Sequence, residues 1–88
     1  MVFEWDDTKN ISNKKKHGIS FENALLIFKS EFSIVYDELH SSPSEERFWA
    51  IGRIHAGLII VVFTEVIDDV IRIISARKAT PSEIEKYG

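Results

Sequence analysis

Leu58-Ile59-Ile60-Val61-Val62-Phe63 is an unbroken apolar run rich in β-branched residues. It reads as a strand with no solvent-facing side, central in a sheet whose two faces must both be covered. It is far too short to cross a bilayer. Three further segments carry strand composition: Phe32–Tyr36, Arg47–Ile54 and Val70–Lys78. The loop Ser41-Ser42-Pro43-Ser44 and the turns His55-Ala56-Gly57 and Ile67-Asp68-Asp69 separate them. Connections this short predict antiparallel neighbours.

The rest of the chain is helical in pattern, apart from Val2–Trp5, whose weak alternation suits a short edge strand. Asp6 or Thr8 can cap a helix running to about His17, with Gly18 as its stop. Ile11 is its one strongly apolar residue, so this helix has little to bury. Ser20 starts a second helix, whose Phe21, Ala24, Leu25 and Phe28 repeat as a core-facing stripe. Thr80-Pro81-Ser82-Glu83 combines an N-cap, a proline at the first helical position and a glutamate at the third, and so opens a short C-terminal helix. The predicted class is α+β: two N-terminal helices packed on a twisted antiparallel sheet of about four strands, then the C-terminal helix. At 88 residues the chain makes one domain, 1–88, with one modest core.

Exclusions narrow the chemistry. There is no cysteine, hence no disulfide, thiolate nucleophile or Cys-ligated zinc. His17, His40 and His55 are scattered and form no metal-ligand motif, so no cofactor is expected. Glycine-rich phosphate loops and G-x-S-x-G elbows are absent. Asp68-Asp69 and Glu45-Glu46 read as solvated turn and loop residues. The N-terminus carries acid where a signal peptide needs base, so a cytoplasmic location is expected. The formal net charge is −3, which leaves nucleic-acid binding to local clustering rather than a global field.

What remains is cationic. Arg72, Arg77 and Lys78 sit on the last strand, and Arg47 and Arg53 on another. Lys9, Asn13, Lys16 and His17 share one face of the first helix. Together they are expected to form a basic groove between helix and sheet, suited to a phosphate. If that phosphate belonged to RNA, metal-free cleavage would need little more. The 2′-hydroxyl is the nucleophile, a base takes its proton, cations stabilise the phosphorane, and an acid protonates the leaving 5′-oxygen. His17 or Glu65 could be the base. Tyr87 could donate a proton or simply pack. Each group also has a plainer reading: His17 as a helix cap, Glu65 as an ion-pair partner across the sheet, and Arg72 as a charge guarding an edge.

At these residues the sequence resembles the BrnT family of type II toxins. The resemblance lies in Phe3-Glu4-Trp5-Asp6, Lys9, Asn13, Lys16-His17-Gly18-Ile19-Ser20-Phe21, Glu46-Arg47-Phe48, Ala50-Ile51-Gly52, Val62-Phe63-Thr64-Glu65, the block Arg72 to Ala79, Glu83 and Tyr87. It implies a RelE-like fold, metal-independent ribonuclease activity and growth inhibition. It also implies a cognate BrnA-like antitoxin with a ribbon-helix-helix DNA-binding part, so that operator DNA is met only indirectly, through a hetero-oligomer with that antitoxin, and no membrane is involved. Carried onto this chain, it points to Glu65, Arg72, Arg77, Lys78 and His17 as catalytic and to Lys9, Lys16 and Arg47 as RNA-binding. One departure is the charge of −3, since ribonuclease toxins of this fold are often basic. The alternative is a non-catalytic module that holds a partner protein on the same basic groove.

Overall fold

The computed structural model describes residues 1–88. The chain begins with β1 (Val2–Glu4) and turns at Trp5-Asp6 into α1 (Asp7–His17). Asp6, rather than Thr8, is the cap: its carboxylate accepts from the Lys9 amide at 3.1 Å. Gly18 ends the helix at φ +74°, the left-handed conformation glycine adopts without strain, and its N–H donates to Lys14 O. Next comes α2 (Phe21–Ala24), capped by Ser20, which continues as a 3₁₀ helix over Leu25–Lys29. Then follow β2 (Phe32–Tyr36), β3 (Arg47–Ile54), β4 (Gly57–Ile67), β5 (Val70–Lys78) and α3 (Pro81–Tyr87). No helix is long and apolar enough to cross a membrane.

The α+β class holds, with two differences from the expected architecture. The sheet has five strands in the order β1-β5-β4-β3-β2 and is mixed, because β1 runs parallel to β5. A parallel pair needs a long crossover, and everything between β1 and β5 supplies it. The second helix is a single α turn that tightens to 3₁₀. Its fully buried residues are Phe21, Ala24 and Ile27, a spacing of three rather than the expected mixture of three and four. A 3₁₀ helix stacks side chains at i and i+3, so the tightened turn brings Ile27 into line with Ala24, and Phe21, one α turn earlier, completes the buried row, with Leu25 and Phe28 packed beside it. Gly52 of β3 makes room: a Cβ there would stand 3.0 Å from Ile27 Cγ2 and 3.2 Å from Glu31 O.

The apolar run lies where its composition demands. β4 is the middle strand, and its side chains feed two clusters. Ile59, Val61 and Phe63 join the main core under α2 and the 3₁₀ turn, with Ile71, Ile73 and Ala76 from β5. Leu58 and Ile60 point the other way and, with Ile51, meet Tyr87 of α3 and Ala79, which precedes that helix. The helices therefore cover both faces of the sheet.

α1 buries almost nothing apolar, and what fixes it is polar. Beyond Arg72, β5 has no strand on its outer side, because the chain has left β1 for α1. Asn13, the one buried residue of α1, fills that gap. Its Nδ2 donates to Ala76 O at 2.8 Å and to Ile19 O at 2.9 Å, and its Oδ1 accepts from the Ala76 amide at 3.1 Å. A side-chain amide thus replaces one rung of a missing strand and blunts an open edge. Asn10 adds a second tie, accepting from the Phe21 amide at 2.8 Å. Asn13→Ala should orphan three buried backbone groups at Ala76 and Ile19, and urea unfolding should show a loss of about 2–4 kcal/mol.

Candidate functional site

Side chains alternate across a strand, so Arg72 and Arg77, five apart, should point to opposite faces. They do not. The register along β4 and β5 slips between Val62, opposite Ser75, and Phe63, opposite Ile73, leaving Ile74 as an extra residue. This β-bulge resets the parity of β5. Arg72 opposite Thr64, Ser75 opposite Val62 and Arg77 opposite Ile60 all fall on the face that carries Arg47 and Trp49 of β3. We call this the α3 side, and the other the helix-pair side.

At the bulge the α3 side is hollowed in two adjoining places. One notch, of about 240 Å³, is lined by Asp37, His40, Arg47, Trp49, Val62, Ile74, Ser75 and Arg77. The other, of about 210 Å³, is lined by Lys9, Ser12, Asn13, Lys16, His17, Ile74 and Ser75. Ile74 and Ser75 line both, so the two adjoin at the bulge, one opening toward α1 and the other toward β3; we refer to the pair together as the groove. Lys9 and Lys16 make no ion pair, whereas Arg47 Nε donates to Glu45 at 3.0 Å. Of the expected cationic cluster, Lys9, Lys16, His17, Arg47 and Arg77 are brought together here.

The remaining candidates lie elsewhere. Arg72 is on the same face but pairs with Glu4 of β1 at 2.8 Å and lines neither notch. Lys78 is opposite Ile59 in the register, hence on the helix-pair side, and is exposed. Arg53 opens with Tyr87 on a separate hollow of about 620 Å³. Glu65 lines an apolar hollow of about 260 Å³ on the helix-pair side, with Phe28, Phe32, Phe48 and Phe63. The sheet separates it from the groove.

The groove contains a group that spacing did not reveal. Asp37 follows β2, its N–H continuing the ladder to Arg47 O at 2.9 Å, and it is buried. Its carboxylate accepts from His40 Nδ1 at 2.9 Å, from the His40 amide at 3.3 Å and from Trp49 Nε1 at 3.1 Å. Burial alone would raise the Asp37 pKa, but the bonds from His40 and Trp49 and the charge of His40 outweigh it and hold Asp37 below its ordinary range, so it is ionised at neutral pH. Sequence offers Asp-x-x-His in a turn as the only hint, because the burial of Asp37 and its contact with Trp49 arise from β2–β3 pairing.

Arg77 is held from both sides. Glu83 of α3 accepts from its two terminal nitrogens at 2.7 and 2.9 Å, and the guanidinium carbon stands 5.4 Å from the centroid of the Trp49 ring. The same Glu83 closes the capping box of α3, accepting from the Thr80 amide at 2.9 Å. The bidentate bond from Arg77, helped by the Thr80 amide and opposed by burial, lowers the Glu83 pKa to about 2. A depressed carboxylate stabilises the fold fully above its unfolded pKa, about 4.5, and loses that contribution as pH falls toward 2. With the Glu83 side chain only 17% exposed, the contribution is on the order of 2–3 kcal/mol. Relative to Glu83→Gln, the wild-type Tm should therefore drop between about pH 5 and pH 2, and the two should converge at the acid end.

Comparison with known proteins gives these features a context. Residues 5–83 match the model of a family described as the ribonuclease toxin, BrnT, of type II toxin-antitoxin systems. A search of curated protein sequences finds no match. Among solved structures, the fold is similar to the 1.1 Å crystal structure of the Brucella abortus ribonuclease toxin BrnT, with a TM-score of 0.70 and 26% identity over 91% of this chain and 99% of that one. The chain belongs to the BrnT family of ribonuclease toxins of type II toxin–antitoxin systems.

Proposed function

We propose that the protein cleaves RNA in the groove at the β5 bulge, without a metal, by attack of the 2′-hydroxyl on its own phosphodiester. The observation that carries this reading is the convergence of unpaired Lys9 and Lys16 from α1 with Arg47 from β3 and Arg77 from β5 around Ser75. A pentacoordinate phosphorane carries more negative charge than the diester before it, so cations aimed at one point favour the transition state over the ground state. Lys9, Lys16 and Arg47 bind backbone phosphates. Arg77, fixed by Glu83 and Trp49, presents a charge that does not reorganise during the reaction. His17 stands half-buried at the α1 end of the groove, beside Lys16. Arg72, paired with Glu4, and Lys78, on the opposite face, stand outside the groove and, like Glu65, take no part in the reaction.

Membership of a type II toxin family entails a protein antitoxin. The reading extends to its action: a BrnA-like partner with a ribbon-helix-helix part lays acidic side chains into the groove and excludes RNA, and the hetero-oligomer meets operator DNA through that partner alone. The net charge of −3 limits affinity for free RNA to what the groove itself supplies.

Incubation of the purified protein with an RNA oligonucleotide in excess chelator should yield fragments ending in 2′,3′-cyclic phosphate and 5′-hydroxyl. Lys9→Ala/Lys16→Ala should weaken RNA binding tenfold or more and flatten its salt dependence by about one unit of log–log slope per lysine. Cleavage that stops in chelator would reject the metal-free chemistry, and unchanged binding by the double variant would reject the groove.

A further inference from the structure

We infer that His40 is the general base of this groove and that Asp37 is its positioning residue. The inference rests on the RNA-cleavage reading above and assigns the proton transfer that the cations alone cannot perform.

The geometry of the pair is specific. An ionised carboxylate only accepts hydrogen bonds, so the imidazole nitrogen facing Asp37 must carry a proton. That nitrogen is Nδ1, at 2.9 and 3.1 Å from the two Asp37 oxygens. In the neutral ring the lone pair is then on Nε2, which makes no hydrogen bond within the protein. The His40 side chain is 62% exposed and lines the notch with Arg47, Ser75 and Arg77, while Asp37 behind it is only 6% exposed. A buried, fixed acceptor behind an exposed imidazole is the arrangement that selects a tautomer and stabilises the imidazolium once formed. Trp49 fixes the carboxylate as well: its Nε1 donates at 3.1 Å to the same Oδ2 that lies 2.9 Å from His40 Nδ1.

The charged groups around His40 belong to every element that borders the notch. Asp37 lies behind it, Arg47 of β3, paired to Glu45, beside it, and Arg77 of β5, paired to Glu83 of α3, across it. Both arginines are partly neutralised by their carboxylates, which limits their repulsion of an imidazolium.

In the step itself, Nε2 takes the proton of the 2′-hydroxyl as the 2′-oxygen bonds to phosphorus. The bond from phosphorus to the 5′-oxygen breaks, and the proton returns from the imidazolium, through water, to that departing oxygen. The products are a 2′,3′-cyclic phosphate and a 5′-hydroxyl, and neutral His40 is regenerated with no proton gained or lost.

The test uses the whole chain, a defined RNA oligonucleotide and chelator. His40→Ala and His40→Gln should lower kcat about a hundredfold or more, while His40→Gln, whose side-chain amide can still donate to Asp37, keeps thermal unfolding closer to wild type than His40→Ala does. The fall of rate on the acid side of the wild-type pH profile should vanish in both, and added imidazole should restore part of the activity of His40→Ala. Asp37→Asn should lower kcat and alter the ¹⁵N shifts that report which ring nitrogen of His40 is protonated. Wild-type rates in both His40 variants, with Lys9→Ala/Lys16→Ala still defective, would overturn the role of His40 and leave the groove standing. Loss of activity with no imidazole rescue and an intact acid limb would overturn the base assignment. An unchanged tautomer and kcat in Asp37→Asn would overturn the role of Asp37. Wild-type protein that leaves RNA intact would overturn the base together with the reading beneath it.

Discussion

The groove exists because one asparagine side chain stands in for a strand. β1 pairs with only the first part of β5. Past Arg72 the outer edge of β5 has no strand partner, and at Ala76 a side chain supplies one. Asn13 satisfies both backbone groups of Ala76 and, by the same Nδ2, the carbonyl of Ile19 just past the helix end. α1, which has almost no apolar face, is thereby fixed against the sheet at one register. Lys9, Lys16 and His17 ride on the same face as Asn13, so the bond that seals the edge also decides where these side chains stand relative to Ser75. A hydrophobic helix could have docked there more firmly, but with its lysines turned elsewhere.

The bulge at Ile74 makes the complementary contribution from the sheet. Strand parity forbids two residues five apart from sharing a face, and the extra residue lifts that prohibition. It keeps Ile71, Ile73 and Ala76 all in the main core while turning Ser75 and Arg77 toward Arg47 and Trp49. Core packing and groove chemistry are thus served by one irregularity, and bulges of this kind are common where a strand must re-aim a side chain.

Much of this is legible in the sequence, for identifiable physical reasons. The unbroken apolar character of Leu58–Phe63 reports burial on both sides directly, and β4 is the central strand. Asp6, Gly18, Ser20 and Thr80 act through local hydrogen bonds, which spacing encodes. Non-local facts were not legible. Nothing in Val2–Glu4 says that its partner lies near Val70 or that the pairing is parallel. The period-three burial of Phe21, Ala24 and Ile27 hides inside a helical pattern, since i, i+3 contacts belong to both windings. Charge alone groups Lys9, Lys16, Arg47 and Arg77 with Arg53, Arg72 and Lys78, and does not tell which of them share a face; for the same reason the placement of Glu65 was hidden, since a β4 residue next to the turn looks the same from either side. Asp37 and His40 were invisible as a pair because what distinguishes them, a carboxylate sealed beneath an indole, is made by the β2–β3 ladder.

Glu83 links two parts of the molecule that are otherwise separate. One of its oxygens serves the first turn of α3 and the guanidinium of Arg77 at once. The C-terminal helix and the far end of the last strand are therefore not independent modules: fraying of the tail strips Arg77 of its counter-ion, and any ligand that competes for that guanidinium loosens the tail. A spectroscopic label on the final residues would consequently sense events in a cleft that it never touches.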